Sequence, residues 1–320
     1  MTGQPIVQRP PEPDWPAMST EELLSYRAAE NRFRASAAAR AVTGEPDPDA
    51  VIEWRELALP GRDLPVRVYR PAAGDGVALP LVVHVHGGGF VGTAVQSDWV
   101  NSRLAARLPA VVVSVEHRLV APDHPLPDAV DDGWDVLRHL VRDAGAWGVD
   151  PARAAVFGES CGGLISALAA IRAREAGLPL RAQVLVNPAV DATEGLFDHP
   201  SVTEYAHTPT LGVPVLRLFR RLAVPAGTDA RAVSPLHADD LGGLAPALVV
   251  VPTHDPVADH GRRYAGRLEA AGTPVRLSEY AGAGHAFLSM PGLVSQARHA
   301  EAAAAEILGF LRTSFAADRA

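Results

Sequence analysis

The chain has 320 residues, 48% of them hydrophobic, a formal net charge of −8 and a single cysteine. That is enough apolar material for one large core, or for a core with a smaller lid. The acidic balance and the lack of a basic stripe argue against a nucleic-acid partner, and one cysteine excludes an internal disulfide.

Residues 1–18 are rich in proline and aperiodic, which predicts an extended arm. They lack an apolar run behind a basic start, so they do not read as a signal peptide. Ser19-Thr20-Glu21-Glu22 opens a helical pattern that continues to Arg40, with Ser19 or Thr20 able to cap its first N–H groups. Glu53–Pro60 and Leu64–Arg70 predict two strands of a hairpin turning at Gly61-Arg62-Asp63. Then come the short apolar runs Leu81–Val85, Ala110–Val115, Ala154–Phe157, Ala182–Val186 and Ala247–Val251, which suit strands buried on both faces of a parallel sheet. Helical patterns lie between them at 97–107, 127–144, 160–176 and 259–271. Val275–Tyr280 predicts a further strand and 293–314 a closing helix. The alternation predicts a doubly wound α/β sheet.

One segment breaks the rhythm. Roughly sixty residues separate the strand ending near Asn187 from the one starting near Ala247, too many for a bare loop in a compact domain. A helical insertion is expected, forming a cap with the N-terminal helix. The expected organisation is an arm and cap helix at 1–45, a core at 46–190 and 231–320, and a cap insertion at 191–230. No apolar stretch has the length of a bilayer span, and the expected location is cytoplasmic.

Four motifs carry the chemistry. Gly158-Glu159-Ser160-Cys161-Gly162 falls between a predicted strand and a helix, where a sharp turn exposes a nucleophile and small residues two before and two after it let the backbone approach. Cys161 is a second candidate nucleophile, but the turn presents one tip residue, Ser160, and the thiol reads as a buried filler. His86-Gly87-Gly88-Gly89-Phe90 also follows a strand. It reads as a flexible turn, a phosphate cradle, or a loop whose N–H groups face an oxyanion. It lacks the Lys-Ser/Thr of a phosphate loop and the spacing of a dinucleotide fingerprint. Asp255 and His285 follow the last two predicted strands, so both would converge on Ser160 at one edge of the sheet, as acid and base. Asp259 and His260 fall at a helix start and read as surface or capping residues. His254 is expected to point away, and Glu279 lies within a strand.

Taken together, this set resembles the hormone-sensitive-lipase-like branch of the α/β-hydrolase esterases. The likeness spans roughly residues 50–315 and includes Asp150-Pro151-Ala152-Arg153, Gly158–Gly163, Ser234-Pro235-Leu236, Asp255-Pro256-Val257 and Gly284-His285-Ala286-Phe287. It implies an α/β-hydrolase fold with an eight-stranded, mostly parallel sheet, flanking helices and a helical cap. It implies a triad of Ser160, Asp255 and His285, an oxyanion hole from the N–H groups of Gly88, Gly89 and Cys161, and supporting positions His86, Gly87, Gly158, Glu159 and Gly162. It implies a small ester substrate, hydrolysis through an acyl-enzyme, no cofactor, no metal, and a homodimer along the edge strand near Val275–Tyr280. The chain departs from the family where Tyr-Arg-Leu-Ala-Pro-Glu is usual. Here His117-Arg118-Leu119-Val120-Ala121-Pro122-Asp123 has His for Tyr, Asp for Glu and one extra residue, next to the glycine loop. Cys161 replaces the commoner Ala, and Glu159 stands where Asp is frequent. The same scaffold also carries dehydratases, acyltransferases and ligand receptors. The receptors lose the histidine that His285 retains here. Trp15, Tyr26, Phe33, Phe197, Tyr205 and Phe219 are candidates for pocket walls or for packing the cap on the sheet.

Overall fold

The valine-rich runs become the centre of one mixed sheet. The computed structural model describes residues 8–73 and 76–317. Residues 1–7 of the expected arm lie outside the described residues. The strands are β1 (Ala50–Leu59), β2 (Arg62–Pro71), β3 (Leu79–Val85), β4 (Val111–Val115), β5 (Val149–Glu159), β6 (Ala182–Val186), β7 (Ala247–His254) and β8 (Val275–Gly284). Their spatial order is β1-β2-β4-β3-β5-β6-β7-β8, with β1 and β2 antiparallel to their neighbours and the rest parallel.

The helical segments are α1 (Thr20–Arg34), α2 (Arg40–Thr43), α3 (Asp98–Arg107), α4 (Leu126–Arg142), α5 (Ala144–Trp147), α6 (Cys161–Glu175), α7 (Pro200–Glu204), α8 (Val213–Ala223), α9 (Ala258–Ala270) and α10 (Val294–Ala316). The period-two alternation of β strands sorts the core into two layers. Leu81, Val83 and Val85 of β3 face a cluster with α4, α6, α8 and α9. Val82 of the same strand faces the other cluster, with α3 and α10. Burial on both faces is why these strands read as unbroken apolar runs.

The elements follow the sequence expectation in order and type and differ in extent: β5 begins at Val149 rather than Ala154, β8 continues past Tyr280 to Gly284, and the helix expected at 127–144 ends at Arg142. The first helix stops at Arg34, where Ala35 closes it, and a short turn precedes α2. The hairpin turn is Pro60-Gly61 alone, because Arg62 and Asp63 already pair with Leu59 and Ala58. Gly61 has φ +77°, the left-handed geometry that so short a turn requires. Segment 191–230 carries one helix of several turns, α8, beside the short α7 and a 3₁₀ turn at Glu194–Asp198.

A buried ionic knot ties the antiparallel hairpin to the parallel core. Asp132 of α4 is fully buried and accepts from Arg62 Nε at 2.7 Å, from the Arg118 backbone N–H at 2.8 Å and from Arg118 Nη2 at 2.9 Å. Both guanidiniums are partly exposed, so losing their partner costs less than the extreme for a buried pair. Asp132→Asn is expected to lower unfolding free energy by about 2 kcal/mol, read as a shifted midpoint in denaturant unfolding. An unchanged midpoint would show that the knot contributes nothing net.

Candidate active site

Strand β5 runs into α6 through one residue, and its geometry is strained. Ser160 has φ 55° and ψ −118°, a conformation costing about 1–3 kcal/mol in a residue with a side chain. The turn is closed by Ser160 N–H donating to Val186 O at 3.0 Å and by Leu164 N–H donating to Ser160 O at 3.1 Å. Both flanking glycines are sterically required. A Cβ on Gly158 would lie 2.1 Å from Gly162 O, and one on Gly162 would lie 2.1 Å from Val85 O. The start of α6 therefore lies against the backbone of β3, and the nucleophile turn lies beside the glycine loop that continues β3.

The turn places Ser160 Oγ 2.8 Å from His285 Nε2. On the far side of the ring, Nδ1 lies 2.8 Å from Asp255 Oδ2. A carboxylate only accepts, so the Nδ1–H donates to Asp255 and Nε2 is left to accept from the serine hydroxyl. The other carboxylate oxygen accepts the Val257 N–H at 3.0 Å, which fixes the rotamer. Asp255 is fully buried, His285 nearly so, and Ser160 is partly open to solvent. Each of the three stands just beyond the C-terminal end of a parallel strand.

The glycine loop passes beside this group. A Cβ on Gly87 would be 3.6 Å from Ser160 Cβ, and Gly88 has φ +92°. No described residue accepts a hydrogen bond from the N–H of Gly88, Gly89 or Cys161. The arrangement can therefore offer free donors next to a hydroxyl that has a base and an acid aligned behind it. The Cys161 side chain is buried, and burial pushes its thiol up to about 12, so it packs as a neutral filler.

The remaining candidates are engaged elsewhere. His254 stacks on Tyr205, with ring centroids 5.4 Å apart. Glu279 pairs with Arg262. Asp259 accepts the Ser201 N–H at the start of α7 at 2.9 Å. His260 is not a surface residue. It is fully buried, with its ring 4.6 Å from that of His199 and no hydrogen bond of good geometry. The departure at His117 has a structural counterpart: its ring stacks on His86 at 4.4 Å and 21°, so the unusual segment braces the glycine loop. Val120 N–H also donates to Gly89 O at 2.8 Å.

Sequence reasoning missed two residues at the site. Asn187 directly follows β6 with φ 39°, and its amide nitrogen lies 3.2 Å from His285 Nε2 and 3.4 Å from Nδ1. Its place at a strand's C-terminal end was the available signal. Arg27 of α1 reaches the glycine loop and binds Phe90 O at 2.7 Å, with no local motif to announce it. Of the aromatic candidates, Trp15 stacks edge-on against Phe90 and Tyr26, and Phe219 lies against Gly89, where a Cβ would be 2.3 Å from the ring. Phe197 lies under Arg217, and Phe33 is half-buried.

The sequence pattern of the alpha/beta hydrolase fold family matches residues 82–289. The chain is similar to the carboxylesterase NlhH of Mycobacterium tuberculosis, with 38% identity covering 93% of this chain and 95% of that one. It is similar to the ethyl acetate hydrolase of Pseudomonas putida, with 34% identity covering 86% of each. Its structure matches that of a hyperthermophilic esterase from the archaeon Pyrobaculum calidifontis with a TM-score of 0.82, at 33% identity over 92% of this chain and 94% of that one.

Two outcomes follow from this geometry. Gly162→Ala is expected to destabilise by at least about 1–3 kcal/mol and to abolish Ser160 reactivity, because the strand carbonyl cannot yield. Wild-type melting and wild-type labelling in this variant would contradict the packing. The second concerns acid. Burial holds His84, His86 and His117 below the usual imidazole range and takes His260 down to about 3. In the unfolded chain these rings titrate near ~6.5. Their contribution is complete above that pH, and it is lost as pH falls towards the folded values, because only the unfolded chain gains protons. His260→Leu is expected to leave the pH 7 melting temperature unchanged or raised. It should flatten the acid limb by roughly one proton, about 1.4 kcal/mol per pH unit, as read from denaturation at pH 4–7.

Proposed function

The chain belongs to the α/β-hydrolase family, in its hormone-sensitive-lipase-like branch, and from that premise we propose that it hydrolyses its esters through an acyl-enzyme on Ser160. It is a carboxylic ester hydrolase, as its relatives are. The observation that carries the mechanism is the continuous pair of 2.8 Å contacts from Ser160 through His285 to Asp255.

Ser160 Oγ attacks the ester carbonyl while its proton passes to His285 Nε2. Asp255 keeps the ring in the reactive tautomer and stabilises the imidazolium that forms. The carbonyl oxygen becomes an oxyanion and takes the N–H groups of Gly88, Gly89 and Cys161, each such donor being worth about 10²–10³ in rate. Collapse expels the alkoxide, which receives the proton from Nε2 and leaves as the alcohol. Water then repeats the sequence on the acyl-enzyme, giving its proton to Nε2 and releasing the acid. His86, Gly87, Gly158, Glu159 and Gly162 hold the two loops in register.

Of the cap expected from 1–45 and 191–230, the described residues 8–45 and 191–230 act as a cover over this site, supported by the packing of Trp15 and Phe219 on the glycine loop. That crowding suits small to medium acyl groups. No helix among the described residues is long and apolar enough to cross a membrane, and the single cysteine suits a reducing, cytoplasmic setting. Strand β8, with Leu277 exposed on the open sheet edge, is the face on which a homodimer would form.

A fluorophosphonate is expected to add once per wild-type chain. Ser160→Ala should take no label and lose at least about 10⁴-fold in p-nitrophenyl ester hydrolysis, as should His285→Ala. A label that persists in Ser160→Ala, or a wild type that neither labels nor hydrolyses, would remove the mechanism.

A further inference from the structure

The glycine loop is held from behind. Gln96 Nε2 donates to Gly87 O at 3.0 Å, Val120 N–H to Gly89 O at 2.8 Å, and Arg27 Nε to Phe90 O at 2.7 Å. Arg27 Nη2 also donates to Val120 O at 2.6 Å, so one guanidinium joins the loop to the segment that braces it. Gln96 is itself held by Arg34 Nη1 at 2.8 Å. Asn31 Oδ1 accepts the Gly92 N–H at 2.9 Å, at the end of the loop. Residues 27, 31 and 34 are spaced i, i+4, i+7, which is one face of α1. Only Leu23 and Glu30 of this helix are fully buried, so its attachment to the loop is largely polar. Glu30 in turn receives Arg34 Nε at 3.0 Å.

A trans peptide points its C=O and the following N–H to opposite sides. Holding Gly87 O against Gln96 therefore aims the Gly88 N–H the other way. Holding Gly89 O and Phe90 O fixes the Gly89–Phe90 and Phe90–Val91 peptides, and the Gly88–Gly89 peptide is confined between pinned neighbours. Consecutive glycines have no stiffness of their own to do this.

We propose that the polar face of α1, acting through Arg27, Asn31 and the Arg34–Gln96 pair, positions the oxyanion-binding N–H groups, so that this helix governs transition-state stabilisation as well as covering the site. The proposal rests on the acyl-enzyme reading above. These are positioning residues, since none touches the reacting atoms. Their loss should act on kcat, because the tetrahedral oxyanion uses the donors more than the bound ester does.

The test uses the full chain, p-nitrophenyl butyrate, and a trifluoromethyl ketone that adds to serine as a tetrahedral oxyanion. Active sites are counted by exhaustive fluorophosphonate titration. Arg27→Met, Arg34→Met and Gln96→Leu are each expected to lower kcat about 10–100-fold per titrated site, with KM within about twofold. Each should weaken ketone binding by the same factor. Arg34→Met combined with Gln96→Leu should cost no more than the worse single change, since the two act in one chain. Arg27→Lys should recover part of the loss. Variants that lose titratable sites while the remaining sites keep wild-type kcat and ketone affinity would overturn the proposal and leave α1 a packing element. Unchanged kcat would overturn it as well. A wild type that neither titrates nor binds the ketone would remove the acyl-enzyme reading and this proposal with it. A reactive wild type with insensitive variants removes the positioning role alone.

Discussion

Everything at this site depends on one close approach of two backbones. The first turn of α6 at Gly162 meets the carbonyls of Val85 and His86 at the end of β3, at a separation that admits no Cβ. That contact sets the nucleophile turn beside the glycine loop and makes Ser160 take a strained backbone. The strain is sustained by the surrounding sheet, where β5 is paired on both sides and buried along its second half. A tightly packed interior behaves as a rigid frame, and a rigid frame is what a hydroxyl, an imidazole and a set of N–H donors need to meet within tenths of an ångström.

The parallel strands do the rest of the assembly. Strands β5, β7 and β8 end at the same edge, and each gives one side chain just past its last residue. Between Ser160 and Asp255 lies one strand in space, β6, and Asn187 just past its end sits beside His285. The imidazole is therefore enclosed by side chains from successive strand ends, a consequence of topology that no local stretch of sequence carries.

Behind the reactive groups the core stores several histidines in neutral form. His86 and His117 stack closely, an arrangement that tolerates two neutral rings and would repel two charged ones. Burial is the main cause of their lowered pKa values; the neighbouring His117 adds to it at His86, whereas at His117 the Arg118 backbone contact and Asp132 oppose it. His86 Nδ1 is 2.9 Å from Gly87 O, so the neutral ring donates into the glycine loop. His117, where the family usually has Tyr, thus lays a flat, titratable ring against the glycine loop.

The sequence by itself determined the sheet and the chemistry. Valine-rich runs alternating with helices point to strands buried on both faces of a mostly parallel sheet, the turn sterics around Ser160 are local, and Asp255 and His285 are marked by their places just after predicted strands. It also carried the glycine requirement, because Gly158 and Gly162 sit two residues either side of the nucleophile. What only the tertiary structure decided are the contacts between distant segments. Arg27 lies 63 positions before the carbonyl it holds, Asn187 lies 98 before the histidine it meets, and buried His260 is fixed by the packing of α9 against His199. Such contacts leave no periodicity and no spacing in the chain. They arise when apolar burial brings the elements together, and the polar side chains then find partners according to where those elements have come to rest.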